Sequence, residues 1–214
     1  AGTTDSWDGT ADTSWYDENE TKFHLQTAEQ LAGMAKLVND DTAYFKDKTV
    51  YLDNDLDLSG HEWNSIGDGA NTDVGSFQGV FDGQSHVVYN LYSHEGLKSE
   101  NKDNNNNLYR NGLFGSIYNA TVKNLGIENA DIVIPMKDGS TYGKGILVDW
   151  MTHSTINNCY TTGSITGGSY IEKYIGGIAG FLNGNNSISQ CYSTAAITGN
   201  YDGEYYAEQE GGLE

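Results

Sequence analysis

Positive charge is scarce in this chain of 214 residues: 11 Lys and Arg stand against 30 Asp and Glu, a formal charge of −19, and Arg110 is the sole arginine. That balance excludes nucleic acid as a partner, because grip on phosphates depends on Lys and Arg that displace condensed counterions. It disfavours anionic membrane surfaces for the same reason. Long apolar runs are also missing, so no segment reads as membrane-inserted, and no signal-peptide pattern is present. Any export signal is therefore expected to have been removed or to lie outside this sequence. Helical periodicity is confined to one short segment, and cysteine to Cys159 and Cys191. What remains is a chain rich in Gly, Asn, Thr and Tyr, a composition that suits a secreted or cell-surface protein of a microbe.

A repeat carries most of the information. One four-residue pattern, apolar, two polar, apolar, recurs as Val88-Tyr89-Asn90-Leu91, Val122-Lys123-Asn124-Leu125, Ile156-Asn157-Asn158-Cys159 and Ile188-Ser189-Gln190-Cys191, with starts 34, 34 and 32 residues apart. Self-similarity at a period of this size marks a stack of like units. The stretches 112–134, 145–167 and 177–199 line up with small shifts. Their columns are Leu113/Ile146/Ile178, Val122/Ile156/Ile188, Leu125/Cys159/Cys191 and Ile132/Ile165/Ile197.

Each unit holds three short Ile/Val clusters separated by Gly, Asn, Ser and Thr, which reads as three brief strands joined by turns. One such coil cannot bury its apolar face alone, whereas stacked coils close a continuous core. The expected fold is all-β, a right-handed parallel β-helix with a repeat of about 32–34 residues. The column Asn90, Asn124, Asn158, Gln190 then reads as a structural amide ladder at a bend, since Asn tolerates left-handed backbone and stacked amides bond along the axis.

Strand edges at the end of such a stack need cover. Thr27-Ala28-Glu29-Gln30 has the form of a capping box, and Leu31, Met34, Ala35 and Val38 follow on one helical face. Residues 27–39 are therefore predicted to form a short N-terminal capping helix, led in by a strand over 22–26. Thr49 to Leu58 alternates cleanly and predicts one half-buried strand, with Val50, Leu52, Asn54, Leu56 and Leu58 on the inner face and Asp53, Asp55 and Asp57 outside. Ser93 to Asn111 reads as a long exposed loop. The organisation expected is a lead-in and cap over 1–48 and repeats over 49–214. Gly211-Gly212-Leu213 restates the opening of a repeat, so the sequence is expected to be a fragment of a longer protein; its closing Leu-Glu could equally be vector-derived.

Candidate chemistry is thin. Cys159 and Cys191 fall in one column, about 5 Å apart at strand spacing, where paired inward side chains seldom reach disulfide torsions. Buried thiols are the favoured reading, a disulfide the alternative, and a metal role lacks a third ligand. His61-Glu62 and His94-Glu95 miss the second histidine of a zinc-protease helix, Ser65 and Lys98 standing in its place. Asp53, Asp55 and Asp57 resemble the start of a calcium loop, but Leu58 and Asn64 replace the Gly and Glu an EF-hand needs, leaving a loose surface calcium site against a solvated acidic face. Asn71-Thr72-Asp73 matches one tripeptide of polygalacturonase-like enzymes without its companion motifs. The aromatic residues are more suggestive. Tyr92, Tyr160 and Tyr192 each follow an inward residue and are expected to point outward in one column, interrupted by Gly126, as a surface for sugar or protein or as a stacked sheet face.

The run from Phe77 to Leu91, FQGVFDGQSHVVYNL, followed by Gly112-Leu113-Phe114-Gly115, Gly176-Gly177-Ile178-Ala179-Gly180 and Ile188-Ser189-Gln190-Cys191-Tyr192, resembles GLUG-motif β-helix domains. Trp7-Asp8-Gly9 and Thr27 to Asn39 are similar to the lead-in and cap of such domains. The resemblance covers most of residues 7–200. It implies an extracellular module of a large secreted or wall-attached bacterial protein, such as an adhesin or the non-catalytic upstream region of an IgA-protease-like zinc metallopeptidase, and it supplies no catalytic residue. The first expectation is a non-catalytic stalk or adhesive surface for a host or matrix glycan or glycoprotein, joined to further repeats or domains of its own chain. The alternatives are a recognition or scaffold module of a secreted zinc metallopeptidase, and a carbohydrate-active β-helix enzyme with two carboxylates in one cleft.

Overall fold

The computed structural model describes residues 6–69, 73–99, 108–135, 143–167 and 174–199. Parallel strands lie coil on coil in a β-solenoid of about four turns with one short helix. The largest sheet runs through Lys22–Leu25, Thr49–Leu52, Val80–Tyr89, Thr121–Val133, Thr155–Thr166 and Ser187–Ser189, each parallel to the next. A second face stacks Phe114–Tyr118, Val148–Thr152 and Ala179–Asn183. Lys144–Gly145 and Ile175–Gly176 form a short third ladder.

Registered apolar columns run up the inside of the stack. Phe23, Val50, Phe81, Val122, Ile156 and Ile188 are successive parallel partners. All but Ile188 are buried, and each such side chain contributes about 1.5–3 kcal/mol of transfer free energy. Ile132, Ile165 and Ile197 pair as their spacing predicts. Leu113 differs slightly: Phe114 pairs with Val148, which sets Leu113 beside Leu147 rather than Ile146.

The turn chemistry refines the three-strand coil. Thr121–Val133 and Thr155–Thr166 are continuous strands that bend where two short ones are expected. Asn124 and Asn158 stand at the bend with φ of 54° and 52°, the left-handed geometry that Asn accepts at low cost.

The first copy of the repeat stacks differently from the other three. Val122 lies beside Phe81, while Val88 lies between Leu56 and Ile127. The register is already displaced before the bulge of strand Val80–Tyr89: Val80 pairs with Thr121, 41 residues on rather than 34, and the bulge between Asp82 and His86, with Gln84 and Ser85 at φ of 50° and 67°, narrows this to 39. Val88 to Leu91 therefore marks the second corner of its coil, whereas Val122 to Leu125 marks the first.

Helix Ala28–Asn39 begins where the capping box places it: Thr27 Oγ1 accepts from Gln30 N at 3.3 Å, and Gln30 Oε1 accepts from Gln26 N at 2.7 Å. Leu31, Met34, Ala35 and Val38 face the core. At its C-terminal end the Asn39 carboxamide donates to Ser65 O at 2.9 Å and accepts from Gly67 N at 2.9 Å. Because Ile66 bridges Phe114, this one side chain satisfies backbone groups on the edge of the second face. The irregular lead-in lies against the helix, with Asp12 N donating to Glu29 O at 2.8 Å. A Cβ on Gly33 would sit 1.8 Å from Asp12 O, so only glycine admits this approach.

Two segments depart from expectation. Thr49 to Leu58 is not one strand but two, Thr49–Leu52 and Leu56–Asp57, with a corner between them. Asn54 sits exposed on that corner and donates to Gln26 O at 3.0 Å, so it leaves the inner face assigned to it. Ser93 to Asn111 is not simply an exposed loop: Leu97–Ser99 pairs antiparallel with Leu108–Arg110, and Ser93, Tyr109, Arg110 and Asn111 are buried. The Glu62 carboxylate holds its entry by accepting from the backbone N–H groups of His94, Glu95 and Gly96 at 3.1, 2.8 and 3.0 Å. Asn104 to Asn107, Asn71-Thr72 and Gly211 to Leu213 lie outside the described residues.

Candidate functional site

Tyr160 and Tyr192 are parallel partners on adjacent coils, and Gly126 is the partner of Tyr160 on the coil before. The two rings stack with centroids 5.2 Å apart and planes 5° from parallel. Gly126 makes room for this, since a Cβ there would lie 2.5 Å from the Tyr160 ring. The Tyr160 hydroxyl donates to Glu128 Oε1 at 2.7 Å. Burial, then the Glu128 carboxylate, pushes the phenol well above its ordinary value. Tyr192, the last ring of this column among the described residues, is 56% exposed.

Tyr92 does not join this column. Its parallel partner is Asp131, and its ring lies on His94, centroids 4.1 Å apart, with His94 Nε2 3.0 Å from Asp131 Oδ2. The displacement is the same as that of Val88: both pair with a residue 39 positions on rather than 34. The expected row of three tyrosines is thus a pair on one strand line and a Tyr–His–Asp group on another.

The amide ladder likewise divides into two. Along the first bend, Asn158 Nδ2 donates to Asn124 Oδ1 at 2.9 Å and Asn124 Nδ2 to Asp82 Oδ1 at 2.9 Å. Along the second, Asn129 Nδ2 donates to Asn90 Oδ1 at 2.6 Å and Asn90 Nδ2 to Asp57 Oδ1 at 2.8 Å. Gln190, at φ 55°, accepts from Asn157 Nδ2 at 3.2 Å. Each of the two ladders starts on an aspartate, and Asn90 stacks with Asn129 rather than with Asn124.

The acidic strand face resolves into separate contacts between coils. Asp53 accepts from Gln84 Nε2 at 2.7 Å and lies 2.9 Å from His24 Nδ1; the histidine contact is the leading cause that lowers its pKa. Asp55 lies 3.0 Å from His86 Nδ1 and accepts from Val87 N at 2.9 Å. For Asp57, burial pulls upward, but the donors Asn90 and Ser59 outweigh it and the net shift is downward. Among the described residues, no three of His, Cys, Asp or Glu converge as metal ligands would.

Cys159 and Cys191 are free thiols, the first buried and the second half-buried. Each sulfur lies near the carbonyl two residues earlier in its own coil, Asn157 at 3.3 Å and Ser189 at 3.2 Å. The hydrogen bond between the thiols, with burial behind it, raises Cys159, while the same bond lowers Cys191, so the more exposed sulfur ionises first.

One cluster escaped sequence reading. Arg110, Asn111, Lys144 and Asp149 are all buried, at 0%, 0%, 1% and 0% exposure. The Asp149 carboxylate accepts from Asn111 N at 2.7 Å, Gly112 N at 3.1 Å and Gly145 N at 2.9 Å. Lys144 Nζ donates to Tyr109 O and lies 3.4 Å from Asn111 Oδ1. Arg110 Nη2 donates to Gly69 O at 2.5 Å, and its guanidinium lies over the Trp150 ring at 5.5 Å. Burial raises Asp149, and Lys144 and Arg110 oppose that rise. The signal available in the sequence was the single arginine, next to an Asn-Gly step.

The fold and surface define a parallel β-solenoid module with an aromatic outer column. No protein-family model matches the chain. The chain is similar to halomucin of Haloquadratum walsbyi, at 29% identity over an alignment of 178 residues, covering 79% of this chain and 2% of halomucin. Among solved structures it is similar to a "putative immunoglobulin A1 protease" from Bacteroides ovatus, at 22% identity and a TM-score of 0.57, covering 83% of this chain and 59% of that one. At that identity the likeness carries the fold alone. The chain thus spans a small fraction of one relative and less than two thirds of the other.

Proposed function

We propose that this chain is a non-catalytic, extracellular β-solenoid module of a larger surface or secreted protein, presenting an outer face that binds glycan or glycoprotein. The observation that carries the reading is the outward-facing Tyr160–Tyr192 stack, with Tyr192 exposed. A flat aromatic face held rigid by its neighbours can stack on a sugar ring with little ordering cost. A module of a much longer protein fits the small fraction of halomucin that it matches, and the GLUG-like run from Phe77 to Leu91 fits the same setting. Calcium at the acidic face is a further proposal, with Asp53, Asp55 and Asp57 as its candidate ligands.

The second reading is a recognition or scaffold module of a secreted peptidase, favoured by the likeness of fold to the Bacteroides ovatus protein. A glycan and glycoprotein array, run with and without calcium, separates the two. Binding that is lost in Tyr192→Ala supports a ligand face on the tyrosine column. Silence across the array counts against it and favours the scaffold.

A further inference from the structure

We propose that Lys144 and Asn111 become joined by an intramolecular isopeptide bond within the folded chain, with Asp149 carrying the protons of the reaction. This goes beyond the binding role above and does not depend on it. The reactants are already in place: Lys144 Nζ lies 3.4 Å from Asn111 Oδ1, next to the carboxamide carbon it would attack. Asn111 Nδ2 donates to Ser93 Oγ at 3.0 Å, which fixes the plane of the amide. Asp149 accepts from the backbone N–H of Asn111, of Gly112 and of Gly145, the neighbour of Lys144, so its carboxylate is anchored to the backbone of both reacting segments, and the Lys144 charge acts on it. All three side chains are shielded from solvent, which excludes competing water, and fixed geometry of this kind replaces a bimolecular encounter.

The proton balance closes within the cluster. Burial raises the Asp149 carboxyl, which favours its taking a proton from the Lys144 ammonium. The neutral Nζ then bonds to Cγ of Asn111, and a proton of the attacking nitrogen passes through Asp149 to Nδ2. The Cγ–Nδ2 bond breaks, Nδ2 departs as ammonia, and a new amide joins two adjacent coils. Nothing is oxidised or reduced. The competing reaction of an Asn-Gly step is attack by the Gly112 nitrogen on the same carbon to give a succinimide. Here Gly112 N–H donates to Asp149 at 3.1 Å and is held away from that attack.

The test is the intact mass of the purified chain, denatured before measurement, with a tryptic map. The expected result is a mass lower than the sequence by one ammonia, a branched peptide joining Asn111 to Lys144, and no cleavage after Lys144. Lys144→Arg should restore the mass of an unlinked chain, and Asp149→Asn should do so while leaving the circular dichroism of a β-solenoid. The full sequence mass in folded wild type would overturn the proposal. So would an ammonia loss confined to the Asn111-Gly112 peptide with Lys144 still cleaved. Linking undiminished in Asp149→Asn would overturn the assigned role of the carboxyl.

Discussion

The Asn158 carboxamide donates to the Asn124 carboxamide oxygen at 2.9 Å, and both residues hold left-handed backbone at the same bend of adjacent coils. One residue type therefore serves two demands, a positive φ and a bond along the stack. Asn124→Ala loses the side-chain link to Asp82 as well as the backbone tolerance. It is expected to cost about 2–4 kcal/mol, from orphaned polar partners and a strained φ together. Asn124→Gly keeps the backbone freedom and should cost roughly 1–2 kcal/mol less. Urea midpoints of the two variants measure the difference.

Gly33→Ala drives a methyl into the Asp12 carbonyl. Overpacking of that kind costs about 1–3 kcal/mol, or the lead-in releases from the helix. Proteolysis before Lys22, compared with wild type, distinguishes release from a uniform loss of stability.

The Tyr160 phenol, raised by burial and by Glu128, is expected to ionise well above the ordinary tyrosine value of about 10. Tyr160→Phe should remove one late-titrating phenol from the ultraviolet pH titration. Glu128→Gln should bring that phenol down towards the ordinary range, because the anion that opposes phenolate has gone.

Asp53, Asp57 and Asp82 all have lowered carboxyl pKa values in the folded chain. For Asp82 burial pulls upward, but Asn124, Gln84 and Lys123 together prevail. A lowered folded value means that the stabilisation is present above the unfolded value of about 3.9 and is lost as pH falls through the folded one. The melting temperature should therefore hold as pH falls to about 4 and drop below it, and Asp82→Asn should flatten that acid arm.

How much was legible follows from where each signal lies. The columns through Val122, Ile156 and Ile188 and through Ile132, Ile165 and Ile197 were readable because burial repeats at the period of the coil. The helix was readable because Thr27 and Gln30 carry its cap. The placement of Asn90 and Tyr92 was not, because the coil from Val80 to its partner Thr121 is 41 residues long against 34 from Thr121 to Thr155, which shifts the corner a repeated motif occupies without altering the motif. The two aspartate-founded ladders followed from that same shift. The buried cluster of Arg110, Lys144 and Asp149 was hidden because charged residues in sequence read as exposed unless their partners, most of them 33 to 41 residues away, are known.

The central claim, that the outer tyrosine column binds carbohydrate without turning it over, is tested most directly by measuring retention and cleavage in one reaction. The purified chain is incubated with mucin-type glycoprotein and neutral polysaccharides, and bound material and newly formed chain ends are quantified for wild type, Tyr160→Ala and Tyr192→Ala. The account predicts retention by wild type, a loss of at least tenfold in both variants, and no new ends. New chain ends in the wild-type reaction, or retention indifferent to both tyrosines, would contradict it.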